Sequence, residues 1–373
     1  MSKLKFSLEK KDKNARAGLI QTFHGSIKTP VFMPVGTLGN VKAILHKDLE
    51  NLGYEIILSN TYHLMLRPGE ELINKMGGLQ NFISWHKPIL TDSGGYQAWS
   101  LSKLRKITEE GINFCSHLDG KKINLTPEYA IRIQEKLNSD ISMVLDECTE
   151  FPATFDRAKE SMELSIRWAR RSRDVFKKRQ GFGLFGIIQG GMYEDLRKKC
   201  AEQLCKIGFD GYALGGLSVG ESQDEMKKVI DFSVINIPED KPRYLMGVGR
   251  PSDIFSAVER GIDMFDCVLP TRFGRNGRAF TQKGEINLRN AIYARDELPL
   301  DETLDSYVSQ NFSRSYIHHL VKSNEILGSM ILSLHNIAFY KMMMCDIRES
   351  IINNEFLKLK DKYMKYHEKY KKT

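Results

Sequence analysis

A short apolar run, a stop rich in glycine or polar residues, and an amphipathic stretch recur in that order along most of this chain. No other feature narrows the fold as much. The strand-like runs are PVFMPVGT (30–37), EIILSNTY (55–62), PILTDSGG (88–95) and ISMVLDEC (141–148). They continue with LFGIIQGG (184–191), GYALGGLS (211–218), RYLMGVGR (243–250) and MFDCVLP (264–270). Between them lie helical periodicities such as PEYAIRIQEKLNS (127–139), AKESMELSIRWARRSRDVFKK (158–178), QDEMKKVIDFSVI (223–235) and PSDIFSAVERG (251–261). The last opens with proline at a favourable first-turn position. Strands that are apolar almost throughout, alternating with helices, predict a parallel sheet covered on both faces. Eight such units in 373 residues predict an α/β fold, a closed (β/α)8 TIM-type barrel with room for an appendage. An open doubly wound sheet is the alternative. It would more often carry a GxGxxG turn after its first strand, and none stands there.

After the eighth run the pattern changes. RFGRNGRAFTQKGEINLRN (272–290) reads as a basic loop and a short hairpin, and from about Leu304 the chain reads as helical, ending in a Lys/Tyr-rich tail. The expected division is a barrel over residues 1–290 and an α-rich C-terminal appendage over residues 290–373, without a clear linker. Hydrophobic residues at 41% and charged residues at 27% supply a large core and exclude a disordered chain. The formal net charge is +8, and residues 355–373, with seven Lys against three acids, contribute four of that surplus. Such a balance suits RNA, DNA or an anionic membrane, although a solvated basic surface explains it equally well. Six scattered cysteines without a CxxC do not make a disulfide scaffold. The N-terminal stretch has no apolar core like a signal peptide's, and no apolar run approaches 18 residues. The expectation is a cytoplasmic protein in a reducing compartment, with no membrane contact.

In a β/α barrel the reactive groups gather at the carboxyl ends of the strands. At those positions stand Asp92 and Ser93 in the third run, Asp146 in the fourth and Gln189 in the fifth. Gly215 and Gly216 close the sixth, Gly247 and Gly249 the seventh, and Asp266 the eighth. One acid alone reads as a helix N-cap. Three acids and a glutamine at one rim are too costly to bury without a use. Grouped carboxylates hold a hard cation such as Mg²⁺, or act as nucleophile and acid on a glycosidic bond. The turns DSGG, IQGG, LGGL and GVG bring bare backbone to the rim, which favours a flat ligand read by its edges, though glycine also serves tight turns. Tyr96 offers a stacking face, or is an ordinary packed aromatic. Arg272, Arg275 and Arg278 recur every third residue in TRFGRNGR, a glycine-spaced loop suited to phosphate contacts unless it is merely exposed. The stretch RWARRSRDVFKKR (167–179) reads as a solvated helix face.

Seven motifs carry a resemblance, in order, over about residues 4 to 345. They are SNTYHLMLRPG (59–69), TDSGGYQ (91–97), MVLDECT (143–149), IIQGG (187–191), GYALGGLSVGE (211–221), YLMGVGRP (244–251) and FDCVLPTRFGRNG (265–277). They resemble those of the bacterial tRNA-guanine transglycosylases. The resemblance implies an aspartate that attacks the ribose C1′ of guanosine at the anticodon wobble position. Guanine leaves and a 7-deazaguanine, typically 7-aminomethyl-7-deazaguanine, replaces it in queuosine biosynthesis. By the same resemblance Asp266 is the nucleophile and Asp92 the proton acceptor and donor. Asp146 and Gln189 bond the purine edge, beside the substrate-binding turn Ser93, Gly94 and Gly95. Gly216 and Leu217 offer backbone groups, and Tyr96 and Met246 sandwich the ring. Gly247, Val248, Gly249, Arg250 and Pro251, with Thr271, Arg272, Phe273, Gly274 and Arg275, hold the RNA backbone. The implied partners are tRNA, a free 7-deazaguanine base and a second copy of the chain in a homodimer.

One stretch departs from that pattern. The family carries Cys-x-Cys-x₂-Cys followed by a histidine, together holding a structural Zn²⁺. In LDSYVSQNFSRSYIHHL (304–320) the cysteine positions are Leu304, Ser306 and Ser309, and only His335 of the set remains. Leucine has no donor atom and serine hydroxyls are poor zinc ligands, so no metal and no other cofactor is expected. Apolar packing by Leu304, Tyr307, Val308, Phe312, Tyr316 and Ile317 is expected instead, with Ser306 or Ser309 bonded to His335. Two other readings compete. Intact Asp92 and Asp266 argue against a non-catalytic RNA-binding homologue; the Arg segment and the Tyr96/Met246 pair argue against a glycoside or nucleoside hydrolase.

Overall fold

The computed structural model describes residues 4–101 and 105–370. Residues 371–373 of the Lys-rich tail lie outside the described residues, as do residues 1–3 and 102–104 and the side chains of 101 and 366–370. All eight expected strands form: β1 (Val31–Gly36), β2 (Ile57–Ser59), β3 (Ile89–Thr91), β4 (Ile141–Met143), β5 (Gly183–Ile188), β6 (Gly211–Leu214), β7 (Arg243–Leu245) and β8 (Met264–Cys267). They close into a parallel barrel in chain order, with β8 pairing back on β1 so that Asp266 lies opposite Met33. Every residue of β5 is buried, which is why the run shows no alternation. Most strands are shorter than the apolar runs. The last residues of each run leave the sheet at the rim, where the glycines, Asp92 and Asp146 stand, while Asp266 is still within β8.

The helices between the strands follow their local signals. Pro127–Lys136 starts on a Thr126 cap with proline at its first position, and Gln223–Val234 starts on a Ser222/Glu225 capping box. Phe155–Val175 begins three residues before the expected 158, on a Thr154 cap. Its arginine-rich face is more structured than a solvated one. Arg167 pairs with Glu109, Arg171 with Glu128, and Trp168 is buried. Two antiparallel sheets escaped the sequence reading. Lys5–Asp12, Ala15–Gln21 and Ser26–Thr29 form one, which closes the amino end of the barrel. There Arg16 pairs with Asp263 at 3.0 Å and His24 Nδ1 meets Asp140 at 2.9 Å, each acid standing just before a barrel strand. The other, Lys106–Ile107, Ile112–Cys115 and Lys122–Leu125, is inserted between β3 and β4.

The segment expected as a basic loop is a helix, Leu269–Arg275, followed by the expected hairpin, Arg278–Thr281 with Gly284–Asn287. Tertiary packing explains the difference. The long helix Ile326–Ile352 lies against it, and a Cβ on Gly274 would stand 2.5 Å from the Ser333 nitrogen. Only glycine permits that approach. Asn336 fastens the contact, donating to Pro270 O at 2.9 Å and accepting from Phe280 N at 2.8 Å. Ala338, Phe339, Tyr340 and Met343 of this helix share one apolar core with Phe32 of β1 and Phe255. Among the described residues no helix is long and apolar enough to cross a membrane.

Candidate active site

The carboxyl ends of the strands surround one cavity of about 260 Å³. That is just under the ~300–1,000 Å³ of drug-sized pockets, and suits a compact ring. Asp92, Ser93, Gly94 and Tyr96 line it from beyond β3, Asp146 from beyond β4, and Gly216 and Leu217 from beyond β6. Met246 and Gly247 line it from beyond β7 and Asp266 from β8, with Val35 and Leu58 as apolar wall. Gly95 and Gln189 stand directly behind this lining. A Cβ on Gly95 would press on Asp146 O at 3.0 Å, and Gln189 Nε2 donates to Asp146 Oδ2 at 2.7 Å.

Each acid has its own set of donors. Thr61 N donates to Asp92 Oδ1 at 2.8 Å, and Asn60 Nδ2 donates to Asp92 Oδ2. Burial raises the Asp92 carboxyl to about 6, against those hydrogen bonds, and the charge of Asp266 pushes the same way. Asp146 is likewise raised to about 6 by burial, opposed by the Gln189 amide. Asp266 is raised by burial and opposed by two donors that both land on Oδ1, Tyr244 OH at 2.6 Å and Gly247 N at 2.8 Å. Its Oδ2 accepts no hydrogen bond among the described residues. A carboxylate tethered by one oxygen, with the other uncommitted, is arranged as a nucleophile is.

The wall between β5 and β6 is backbone. Gly216 has φ +65°, and a Cβ there would meet Gln189 Oε1 at 2.8 Å, so the Gln189 amide and the Gly215–Gly216 peptides share space no side chain can enter. Tyr96 is half-exposed at the mouth, tilted over Trp99 at 6.0 Å. Sequence reasoning missed Asn60, Thr61, Tyr244, Cys148 and Arg197. Asn60 and Tyr244 sit in the quoted motifs SNTYHLMLRPG and YLMGVGRP, at the same strand ends as the acids, and position alone could have flagged them. Cys148 lines the cavity and burial pushes its thiol well up, so it is a neutral wall group.

A family model described as queuine tRNA-ribosyltransferase matches residues 11–369. The chain belongs to this family. A queuine tRNA-ribosyltransferase of Zymomonas mobilis subsp. mobilis is 57% identical over 355 residues, covering 94% of this chain and 92% of the relative. One from Rickettsia bellii (strain OSU 85-389) is 55% identical over 351 residues, covering 94% of this chain and 97% of the relative.

The segments expected to hold RNA in this queuine tRNA-ribosyltransferase family member divide by exposure. Gly247 is exposed at the cavity edge, while Val248, Gly249 and Pro251 are buried beneath it. Arg250 is exposed and reaches Glu285 at 3.2 Å. Thr271, Phe273 and Gly274 are buried, with Phe273 stacked on Phe280 at 5.1 Å. Arg272 is exposed, and burial lowers the half-buried Arg275. Arg278 is on the hairpin with its guanidinium over the Phe273 ring at 5.3 Å. The three arginines therefore do not form one loop.

Around Leu304, Ser306 and Ser309, where the resemblance implies zinc cysteines, the side chains present do not fit zinc. Leu304 is buried in the apolar core. Ser309, and not Ser306, meets His335 Nδ1 at 2.8 Å, and His335 Nε2 meets Phe280 O at 2.7 Å. A carbonyl only accepts, so Nε2 carries the proton and Nδ1 accepts from the Ser309 hydroxyl. Burial lowers the imidazole to about 4 and keeps it neutral. Val308 and Ile317 pack inward as expected, whereas Tyr307 and Tyr316 point out, at 72% and 40% exposure. Among the described residues no three His, Cys, Asp or Glu side chains gather as a metal site.

Proposed function

We propose that this chain is a tRNA-guanine transglycosylase, a pentosyltransferase that exchanges guanine at the anticodon wobble position of tRNA for a 7-deazaguanine. The observation that carries it is Asp266. Two donors hold Oδ1 and leave Oδ2 uncommitted, at the rim of a cavity shared with Asp92 and Asp146. Family membership supports tRNA as the substrate. The Asp146–Gln189 pair and the Gly216 backbone suit hydrogen bonding to a purine edge.

In the first half-reaction Asp266 Oδ2 bonds to ribose C1′ as the C1′–N9 bond breaks, and the departing guanine takes a proton from Asp92. In the second, the Asp92 carboxylate takes the N9 proton of the incoming base. N9 then bonds to C1′ as the C1′–O bond to Asp266 breaks, and both acids return to their starting state. Asp92 suits both proton transfers because burial places its carboxyl near 6, where both protonation states are accessible near neutral pH. The target base has to leave its stack to enter the cavity, which favours a splayed anticodon loop over duplex. Typical of the resemblance, 7-aminomethyl-7-deazaguanine is the incoming base, the chain works as a homodimer, and its tRNA substrate places it in the cytoplasm. It carries no structural zinc. The Ser309–His335–Phe280 hydrogen bonds and buried Leu304 take the place of the metal.

The test is incorporation of radiolabelled guanine into bulk tRNA by wild type and Asp266→Asn. Wild type incorporates label and forms a tRNA adduct that survives denaturing electrophoresis. The variant does neither, while binding tRNA within a few-fold of wild type. An adduct that persists in Asp266→Asn would show that another residue attacks.

A further inference from the structure

Arg197 stands on the helix Glu194–Ile207, which follows β5, and its side chain is fully buried. Nε donates to Gly191 O at 2.8 Å, and Nη1 donates to Ile188 O at 2.8 Å and Gly215 O at 2.9 Å. Ile188 O also accepts from Gly215 N at 3.1 Å, whereas Gly191 O and Gly215 O lie beyond the ends of β5 and β6 and take their donor from Arg197. Nη2 is buried without a hydrogen-bond partner among the described residues, 3.7 Å from where a Cβ on Gly216 would be. Among the described residues no carboxylate pairs with this guanidinium. Glu221, the acid whose charge it feels, is already bonded to the Ser218 and Val219 amides. Burying a cation in that way is costly, and a neutral donor would satisfy the same carbonyls.

What distinguishes the place is the wall it supports. Ile188 and Gly215 flank Gln189 and Gly216, whose groups are packed against one another behind and along the cavity. The cavity lining holds Asp92, Asp146 and Asp266 and, among the described residues, no lysine or arginine. When the C1′–N9 bond breaks, the electron pair passes to the purine, and the Asp146 carboxylate, with Asp92 as it gives up its proton, opposes the charge that builds. We propose that Arg197 is a positioning residue for base exchange, bracing the Gln189/Gly215/Gly216 wall and supplying through it the positive charge that the lining lacks. A fixed cation behind oriented peptide dipoles acts where charge develops, without reorganising. This inference rests on the base-exchange reading above.

The test uses Arg197→Met and Arg197→Lys in the full chain. Guanine and tRNA are varied separately in steady-state exchange, and free guanine is titrated without tRNA. In Arg197→Met the guanine KM and Kd rise about tenfold or more and kcat falls, while the tRNA Kd stays within about twofold. Lysine keeps the charge but cannot span three carbonyls, so Arg197→Lys recovers kcat more than guanine KM. A guanine KM within about twofold of wild type in soluble Arg197→Met overturns the proposal. So does a parallel loss of guanine affinity, tRNA affinity and melting temperature, which marks a brace of the fold alone. If Arg197→Met does not fold, Arg197→Lys decides, since an unchanged guanine KM there refutes the three-way brace. Wild type that binds guanine but exchanges nothing would refute the reaction, and the guanine titration would still read the brace.

Discussion

Asp146→Asn removes a charge that the fold holds against its own dielectric. Burial raises the Asp146 carboxyl from the ordinary 3.8 to about 6. The folded value is the higher one, so the ionised form is disfavoured in the native state. The penalty is absent below pH ~4, grows through the window from ~4 to ~6 and is complete above it. A shift of about two units corresponds to roughly 3 kcal/mol. Asparagine keeps the shape, and its Oδ1 still accepts from Gln189 Nε2, as Asp146 Oδ2 does at 2.7 Å. At an unfolding entropy of about 2.1 cal/mol/K per residue over 373 residues, 3 kcal/mol is roughly 4 °C. Asp146→Asn therefore melts ~4 °C above wild type at pH 8, and the gap closes towards pH 4. Asp92 and the other raised carboxyls titrate in both proteins and drop out of the difference. Guanine exchange weakens in the same variant, because an amide now faces the purine edge. Thermal denaturation of both proteins from pH 4 to 8 is the assay. A variant that melts below wild type at pH 8, or a gap independent of pH, would refute the argument and show that the site stabilises the carboxylate as an ion.

Arg272→Ala weakens tRNA binding and lowers the slope of log K against log salt by about 1, leaving free-guanine binding unchanged. The half-buried Arg275 responds less when replaced. Salt titrations of tRNA binding check both, and an insensitive Arg272→Ala would return that face to ordinary solvated surface. Elemental analysis of untagged protein finds well under one zinc per chain, and chelator leaves melting temperature and exchange rate unchanged. Stoichiometric zinc would point to another ligand set around His335. Ser309→Ala strands the buried His335 Nδ1 and costs about 1–3 kcal/mol, a fall of roughly 1–4 °C in melting temperature.

The barrel was legible because its code is local. Parallel strands buried on both faces need unbroken apolar runs such as LFGIIQGG, and the stops between strand and helix need glycine or polar residues. The acids were legible for the same reason, standing where apolar runs end. The helix Leu269–Arg275 was not. Gly274 and Gly277 made TRFGRNGR look like a loop, and only the approach of Ser333 explains a glycine inside that helix. Arg197 was equally hidden. In LRKKC, beside Lys198 and Lys199, it reads as one more solvated cation. The choice of Ser309 over Ser306 as the partner of His335, and the outward turn of Tyr307 and Tyr316, also depend on helices that meet only in the fold.

What the sequence determined by itself is the order of strand and helix, and the acid or glutamine that each of four rims presents. Tertiary structure alone decided what those groups are chemically. Asp92 takes its donors from Asn60 and Thr61, Asp146 from Gln189, and Asp266 from Tyr244 and Gly247, each pair brought together by a neighbouring strand. Ionisation and nucleophilicity are set by burial and by the nearest few dipoles. Barrel closure chooses those neighbours from segments 19 to 43 residues apart in the chain, a separation that local periodicity does not encode.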